Sequence, residues 1–382
     1  MNYLHSRRTN LLNKIKADAL EGLLVTGPSN VEYLTGFGGG DSYFVLTPKH
    51  AILVSDTRYE EQIKEECPDL VGEAVIRPHN KTTPEATAEV LNRLAVKPMG
   101  FESAHLSVEL RDAIGEKANK TTLAPTAGRV ESLRAIKDAS EVAAIRKAIE
   151  VAERAFGMFT AMLRDTDTEK DMIDAMEAYL RRAGATRASF PPICAVGERG
   201  ALPHAPATSR QLGEGSKLLV DWGADVGYKS DITRVFRSPF PTPPTRKNKQ
   251  ERVGLNFEAI YEAVRVAQEA AVGVLRAGTA VKDVDTAARK SLSKSKPKDF
   301  DGEDLADYFT HGIGHGIGLE THEFPRIRQN SDDVLEVGMV VTLEPGVYIP
   351  GWGGVRLEDD FLIGKDGPIR LTTLPHDPNV IG

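Results

Sequence analysis

Along the first 131 residues, short apolar runs alternate with amphipathic stretches. Residues 22–25, 43–46 and 51–54 are continuous apolar runs bounded by Gly, Pro or Asp, the pattern of buried strands. Between them the spacing predicts helices over 59–66 and 85–94, the second opened by Thr83 as N-cap and Pro84 at the first helical position. Such alternation predicts an α/β domain.

After Glu131 the period lengthens. Val142, Ile145, Ile149, Ala152, Phe156, Phe159 and Leu163 recur at 3/4 spacing and mark one face of a long helix. Further amphipathic stretches at 170–183, 257–275 and 281–292 alternate with strand-like stretches at 217–236 and 339–363. Helices followed by strands, twice over, predict an α+β domain over 132–382 behind the first domain of 1–131. Leu163-Arg164, Lys170-Asp171-Met172 and Ala175 also match Leu275-Arg276, Lys282-Asp283-Val284 and Ala287 at a constant offset of 112, so the second domain reads as an internal repeat. The stretch 238–250, SPFPTPPTRKNKQ, falls between the copies and reads as an exposed connector.

Composition narrows the function classes. Across 382 residues, 48 Lys and Arg face 55 Asp and Glu, a net charge of −7 that argues against a nucleic-acid binder. The two cysteines, Cys67 and Cys194, have no CxxC spacing, which speaks against a disulfide framework or thiolate zinc site and fits a reducing, cytoplasmic setting. The first 25 residues carry charges throughout, unlike a signal peptide, and no apolar run of about 18 residues predicts a membrane span.

Several catalytic motifs fail on inspection. The run 311–318, HGIGHGIG, has Ile317 where a GxGxxG loop needs glycine; His322-Glu323 is followed by Arg326 where HExxH needs histidine; no Walker A or GxSxG sequence occurs. What remains is acids inside strands. Asp221 and Asp231 are symmetric about Val226, so a turn there would face them across a hairpin about 5 Å apart. Glu344 and Glu358 are likewise symmetric about Gly351, within the turn sequence Pro350-Gly351-Trp352-Gly353. Burying four carboxylates without cations costs several kcal/mol per charge. Two divalent ions cancel that charge, in a carboxylate-bridged dinuclear site. His315, among glycines, is the best-placed nitrogen ligand; oxygen-rich coordination favours Mn²⁺, and one imidazole leaves Co²⁺, Zn²⁺ or Fe²⁺ open. Any one strand acid is more often at an edge or salt-bridged, so the two symmetric pairs carry the reading. His5, His50, His79, His105 and His376 read as surface or structural, and Trp222 and Trp352 as packing residues. Glu320 and Glu323 read as solvated or as supports of the site, and Arg356 shares the face of Glu358 and can hold a carboxylate.

The segments LLVDWGADVGYKSDITRVF, HGIGHGIGLETHEFP, TLEPGVY and GVRLED, with LPHAP upstream, resemble the Xaa-Pro peptidases, prolidase and aminopeptidase P, among the pita-bread metallopeptidases. PSNVEYLTGF and SDTRYEEQ resemble that family's N-terminal domain. The resemblance implies an α/β N-terminal domain followed by an α+β pita-bread catalytic domain with an internal pseudo-twofold repeat. It places metal ligands on Asp221, Asp231, His315, Glu344 and Glu358, with Glu344 handling protons and His322 and His204 donating to the scissile carbonyl. His311 and Arg356 then fall on the substrate side. It further implies two divalent ions, peptide substrates with proline in second position, and a homodimer or homotetramer. Arg356, Arg326 and Arg328 are candidates for the carboxylate of a dipeptide. A pseudo-peptidase that only holds peptides is the alternative, and the intact ligand set weighs against it.

Overall fold

The short apolar runs near the N-terminus become the middle of one six-stranded sheet. The computed structural model describes residues 3–70, 73–240, 255–297, 300 and 303–379. The chain divides at Arg134, three residues past the change of texture read from the sequence. In the first unit β1 (Gly22–Val25), β2 (Tyr43–Leu46), β3 (Ala51–Asp56), β4 (Val75–Arg77), β5 (Met99–Glu102) and β6 (Leu123–Thr126) lie in the order β4-β3-β2-β1-β5-β6. The sheet is mixed, β1 running antiparallel to β2 and parallel to β5. Its central side chains Leu24, Val45, Ile52 and Met99 are buried, which is why these strands lack a polar face. The helices are α1 (Tyr3–Ala17), α2 (Pro28–Thr35), α3 (Glu60–Glu66), α4 (Thr83–Leu94), α5 (Val108–Lys117) and α6 (Glu131–Arg134).

Helix α4 begins two residues before the predicted start, and its N-cap is Thr82 rather than Thr83. Thr82 Oγ1 accepts the Glu85 N–H at 3.3 Å, and the Glu85 carboxylate accepts the Thr82 N–H at 2.8 Å. Thr83 instead accepts from Arg77 Nε at 3.1 Å. A reciprocal cap of this kind is worth about 1 kcal/mol. Thr82→Ala is therefore expected to lower the unfolding free energy by about 1 kcal/mol, read as a lower urea midpoint at unchanged m-value, and an unchanged midpoint would count against the cap.

The second unit is built twice over from two helices and the strands after them. In the first half, α7 (Ala139–Met162) buries Ile145, Ile149, Ala152, Phe156 and Phe159, while Val142 and Leu163 at the ends of the predicted stripe are half-buried. It packs with α8 (Glu169–Ala183) on β8 (Ile193–Val196), β9 (Lys217–Trp222) and β11 (Ile232–Arg237); the short β7 (Arg187–Ala188) and β10 (Ala224–Asp225) pair beside them. Trp222 stacks on Phe156 with ring centres 4.4 Å apart and donates its indole N–H to Ala152 O at 3.0 Å. In the second half, α9 (Phe257–Val272) and α10 (Val281–Lys294) pack on β13 (Glu323–Ile327), β14 (Val340–Leu343), β15 (Gly346–Ile349), β16 (Gly353–Arg356) and β17 (Asp359–Ile363), while β12 (Gly314–Gly316) and β18 (Pro368–Arg370) complete the sheet β13-β12-β14-β17-β18. Helix α9 stops three residues short of the predicted 275, where the Gly273 N–H turns back to Glu269 O at 2.9 Å.

Cys67 and Cys194 are both buried and unbridged. Positions 241–250 of the expected connector lie outside the described residues. Among the described residues no helix is long and apolar enough to cross a membrane.

Candidate metal centre

The two predicted hairpins exist, one of them with a shifted register. Thr233, not Asp231, lies opposite Asp221 in the β9–β11 ladder. The turn is centred on Gly227, whose φ of +99° only glycine adopts readily, rather than on Val226. Asp231 precedes β11 on the same face as Thr233, so the two aspartates are diagonal neighbours. The other hairpin follows the symmetric register, Val340 pairing with Leu362, Leu343 with Asp359 and Ile349 with Gly353. Its ladder opens around the two glutamates. The Glu344 N–H bonds to Ile313 O at 2.7 Å, and the Glu358 N–H bonds to Thr233 O at 3.1 Å. Both glutamates thus sit where this hairpin crosses onto β12 of its own half and β11 of the other. The glycines beside His315 serve the same convergence: a Cβ on Gly314 would lie 2.0 Å from Thr342 O, and one on Gly316 2.0 Å from Phe324 O.

All five predicted ligands line one cleft of about 710 Å³. His315 Nε2 is 3.5 Å from Glu344 Oε1 and 3.7 Å from Asp231 Oδ2. Ligand atoms of Asp231, His315 and Glu358 all fall within 4.8 Å of one another. Nδ1 of His315 lies 3.0 Å from Gly316 O, which assigns the ring proton to Nδ1 and leaves the Nε2 lone pair facing carboxylates. Lone pairs at such separations repel unless a cation lies between them. Asp221 Oδ1 and Glu358 Oε1 are buried with no hydrogen-bond partner. Their other oxygens accept from Arg356 Nη2 at 2.6 Å and Thr233 Oγ1 at 2.7 Å. Burial raises the carboxyl pKa of Asp221, Asp231 and Glu358, the last two further through neighbouring carboxylates. Glu344 is pushed up to about 7 by burial, and His315 down to about 3 by burial and by His322. An oxygen-rich donor set with orphaned, convergent acceptors fits hard divalent cations.

A different cluster shows what acids look like when no cation is needed. Glu102, His105 and Glu131 also approach one another within ligand distance. There Glu102 accepts the Thr26 and Gly27 N–H groups at 2.7 and 2.8 Å and Asn30 Nδ2 at 2.6 Å, while Glu131 accepts from Asn30 at 2.8 Å.

The predicted substrate-side residues gather at the same cleft. Arg356 is buried, and each of its nitrogens donates to protein: Nε to Thr233 Oγ1 at 3.0 Å, Nη1 to Tyr348 Oη at 2.9 Å and Pro203 O at 3.2 Å, Nη2 to Asp221. Tyr348 Oη is 2.7 Å from His311 Nε2, and His311 Nδ1 is 2.8 Å from Gly312 O, so both nitrogens of His311 are engaged. Burial lowers the His311 pKa to about 4. His322 is exposed, its ring edge-on to His315 with centres 4.4 Å apart. His204 is exposed on the loop between β8 and β9. Glu323 departs from expectation: it is neither solvated nor beside the ligands, but buried against Lys137 Nζ at 3.1 Å.

Three residues of the site escaped the sequence reading. Thr233 bridges Arg356 to Glu358, a role its true register opposite Asp221 would have flagged. Tyr348 links Arg356 to His311, and Asp360, fully buried, lies 3.4 Å from the Asp231 N–H.

Residues 143–365 match the model of metallopeptidase family M24, and residues 7–136 match the creatinase/prolidase N-terminal domain. The chain is 32% identical to an Xaa-Pro dipeptidase of Pyrococcus furiosus over 373 residues, 97% of this chain and 98% of that protein. Among solved structures it is similar to an Xaa-Pro dipeptidase from Bacillus anthracis, with TM-score 0.86 and 31% identity over 98% of this chain and 99% of that one. It is also similar to an X-Pro aminopeptidase from Thermotoga maritima, with TM-score 0.82 and 28% identity over 96% and 99% of the two chains. The chain belongs to metallopeptidase family M24, with a creatinase/prolidase N-terminal domain ahead of a pita-bread catalytic domain.

Proposed function

We propose that this metallopeptidase hydrolyses the bond between an N-terminal residue and a following proline, in dipeptides, with two divalent cations at its centre. The observation that carries the metal site is the pair of buried, unpartnered oxygens, Asp221 Oδ1 and Glu358 Oε1, within one acid cluster. Asp221, Asp231, His315, Glu344 and Glu358 are the residues that hold the cations, and the oxygen-rich set favours Mn²⁺. Bound there, divalent ions supply Lewis-acid charge and ease deprotonation of the attacking water.

The side chains divide the remaining work. Glu344 accepts the proton of the attacking water and delivers it to the departing proline nitrogen. His204 and His322, the exposed imidazoles of the cleft, donate to the carbonyl oxygen as charge develops on it. Arg356 has no nitrogen to spare for substrate, so its part is to hold Asp221 and Tyr348. Proline offers no N–H to a backbone ladder, so recognition falls to the cleft walls and to groups at the chain ends.

Dipeptide preference rests on β13. Its accessibility alternates along 323–327, and the open positions carry Phe324 and Arg326, with Arg328 next in the period. Arg326 and Arg328 line the cleft, and among the described residues neither has an ion-pair partner. Two unpaired guanidiniums suit a free carboxylate. With Mn²⁺, Ala-Pro is expected to turn over faster than Ala-Pro-Ala. Arg326→Ala should raise KM for Ala-Pro by about 10- to 100-fold, the worth of a charge-assisted hydrogen bond, and change that for Ala-Pro-Ala far less. Equal effects on both peptides, or faster cleavage of the tripeptide, would overturn the dipeptidase assignment.

A further inference from the structure

His204 makes no hydrogen bond of its own among the described residues, so its place in the cleft depends on the backbone of its loop. That loop is held from behind by one buried carboxylate. Glu169, at the start of α8, is fully buried, and both of its oxygens are saturated. Oε1 accepts the Val196 N–H at 2.9 Å, where β8 ends and the loop begins. Oε2 accepts the Thr208 N–H at 3.0 Å and the Thr208 hydroxyl at 2.7 Å, beyond His204. Arg199, within the loop, donates Nε to both oxygens at 2.9 and 2.8 Å and Nη2 to Pro206 O. Glu169 therefore fixes the loop on both sides of His204.

The second half of the unit repeats the device with different residues. Asp285 on α10 is fully buried; Oδ1 accepts the Ile313 N–H at 3.1 Å, and Oδ2 accepts Arg289 Nε at 2.6 Å. Arg289 then donates to Phe309 O at 2.7 Å and to His311 O at 2.6 Å. In both halves a buried acid on the second helix takes a backbone N–H and an arginine, and the arginine takes one or two carbonyls of the segment bearing a cleft histidine.

We infer that Glu169–Arg199 and Asp285–Arg289 are paired positioning clamps, which hold in the cleft the segments bearing His204, a donor to substrate, and His311, the partner of Tyr348, without touching substrate themselves. The inference rests on the substrate-side role proposed for His204. Glu169→Gln keeps the shape of the side chain and removes its charge. It is expected to lower kcat on Ala-Pro by about 10- to 100-fold, the scale of a misplaced catalytic group, with KM within about threefold of wild type. Bound Mn²⁺ stays at the wild-type stoichiometry. In a His204→Ala background the same substitution costs less than about threefold, because both act through one group. Amides of Val196 and Thr208 exchange faster with solvent deuterium, while those of Asp231 and Glu358 keep their protection. A full, additive loss in the His204→Ala background, or faster loop exchange with unchanged kcat, overturns the clamp. Should Glu169→Gln fail to fold, Arg199→Ala carries the same tests, its side chain being one-fifth exposed. Absence of Xaa-Pro turnover by the wild-type protein overturns the substrate reading instead. In that case loop exchange alone decides the clamp, upheld if accelerated in Glu169→Gln and overturned if not.

Discussion

Turnover of Ala-Pro is expected to fall about a thousandfold or more when Glu344 is replaced by alanine, the range of a lost proton-transfer group. The structure singles out this acid among the four. Its side chain is 18% exposed, against 13% for Asp221 and 7% for Asp231, while Glu358 is buried, so Glu344 is the carboxylate most open to a substrate. Glu344→Gln separates the two parts assigned to it. The amide keeps an oxygen toward the cations and cannot take a proton, so Mn²⁺ content is expected to stay closer to wild type than turnover does. Full turnover by Glu344→Ala, measured with metal loading verified, would remove Glu344 from the chemistry.

The parts of the site legible in the sequence are those imposed by local backbone geometry. Pro350-Gly351-Trp352-Gly353 admits one tight turn, with Gly351 at φ +75° and Gly353 at +126°, and that turn alone sets Glu344 opposite Glu358. The first hairpin departs from the symmetric reading because its turn centres on Gly227, one residue past the midpoint of Asp221 and Asp231. Gly227 holds the positive φ, whereas Gly223 is glycine for another reason, since a Cβ there would lie 1.9 Å from Ser230 O. Choosing Val226 as centre hid Thr233, and with it the link from Arg356 to Glu358. The long stripe of α7 was legible because one face packs continuously, and the first-unit strands because both their faces are buried.

Glu169, Asp285 and Asp360 were not legible, for a common reason. On a helix or strand, an acid that is fully buried and an acid in water occupy the same kind of position in the sequence pattern. Glu169 opens α8 where acids commonly complement the helix dipole, and nothing local says that its carboxylate turns inward to a distant loop. Lys137 and Glu323 pair across 186 residues, and neither neighbourhood announces the other.

Removing divalent metal is expected to leave a fold whose stability declines as pH rises from about 6.5 to 8. In the metal-free protein, burial holds the Glu344 pKa at about 7 and those of Asp231 and Glu358 well above the ordinary carboxylate range. The unfolded chain has lost these protons by pH 6.5, so the native state binds more protons than the unfolded one, and stability falls as pH rises. Histidines act in the opposite sense at lower pH. His311 and His315 have pKa values lowered to about 4 and 3, and unfolded histidine is still half protonated at about 6.5, so their contribution rises with pH and levels off near pH 7.5, with ~0.4 kcal/mol for each falling above pH 6.5. Above pH 6.5 the carboxyls act against this histidine tail and against Lys217, whose pKa burial lowers to about 8, and they outweigh both at about 1–2 kcal/mol for each carboxyl that starts the window protonated. Loading Mn²⁺ needs the charged carboxylates and so displaces these protons. The rise in Tm on loading should grow across the window, and calorimetric titration at pH 6.5 in buffers of different ionisation enthalpy should register proton release. A metal-free Tm that stays level or climbs from pH 6.5 to 8, or loading without proton release, would mean that the acid cluster is already charged before the cations bind.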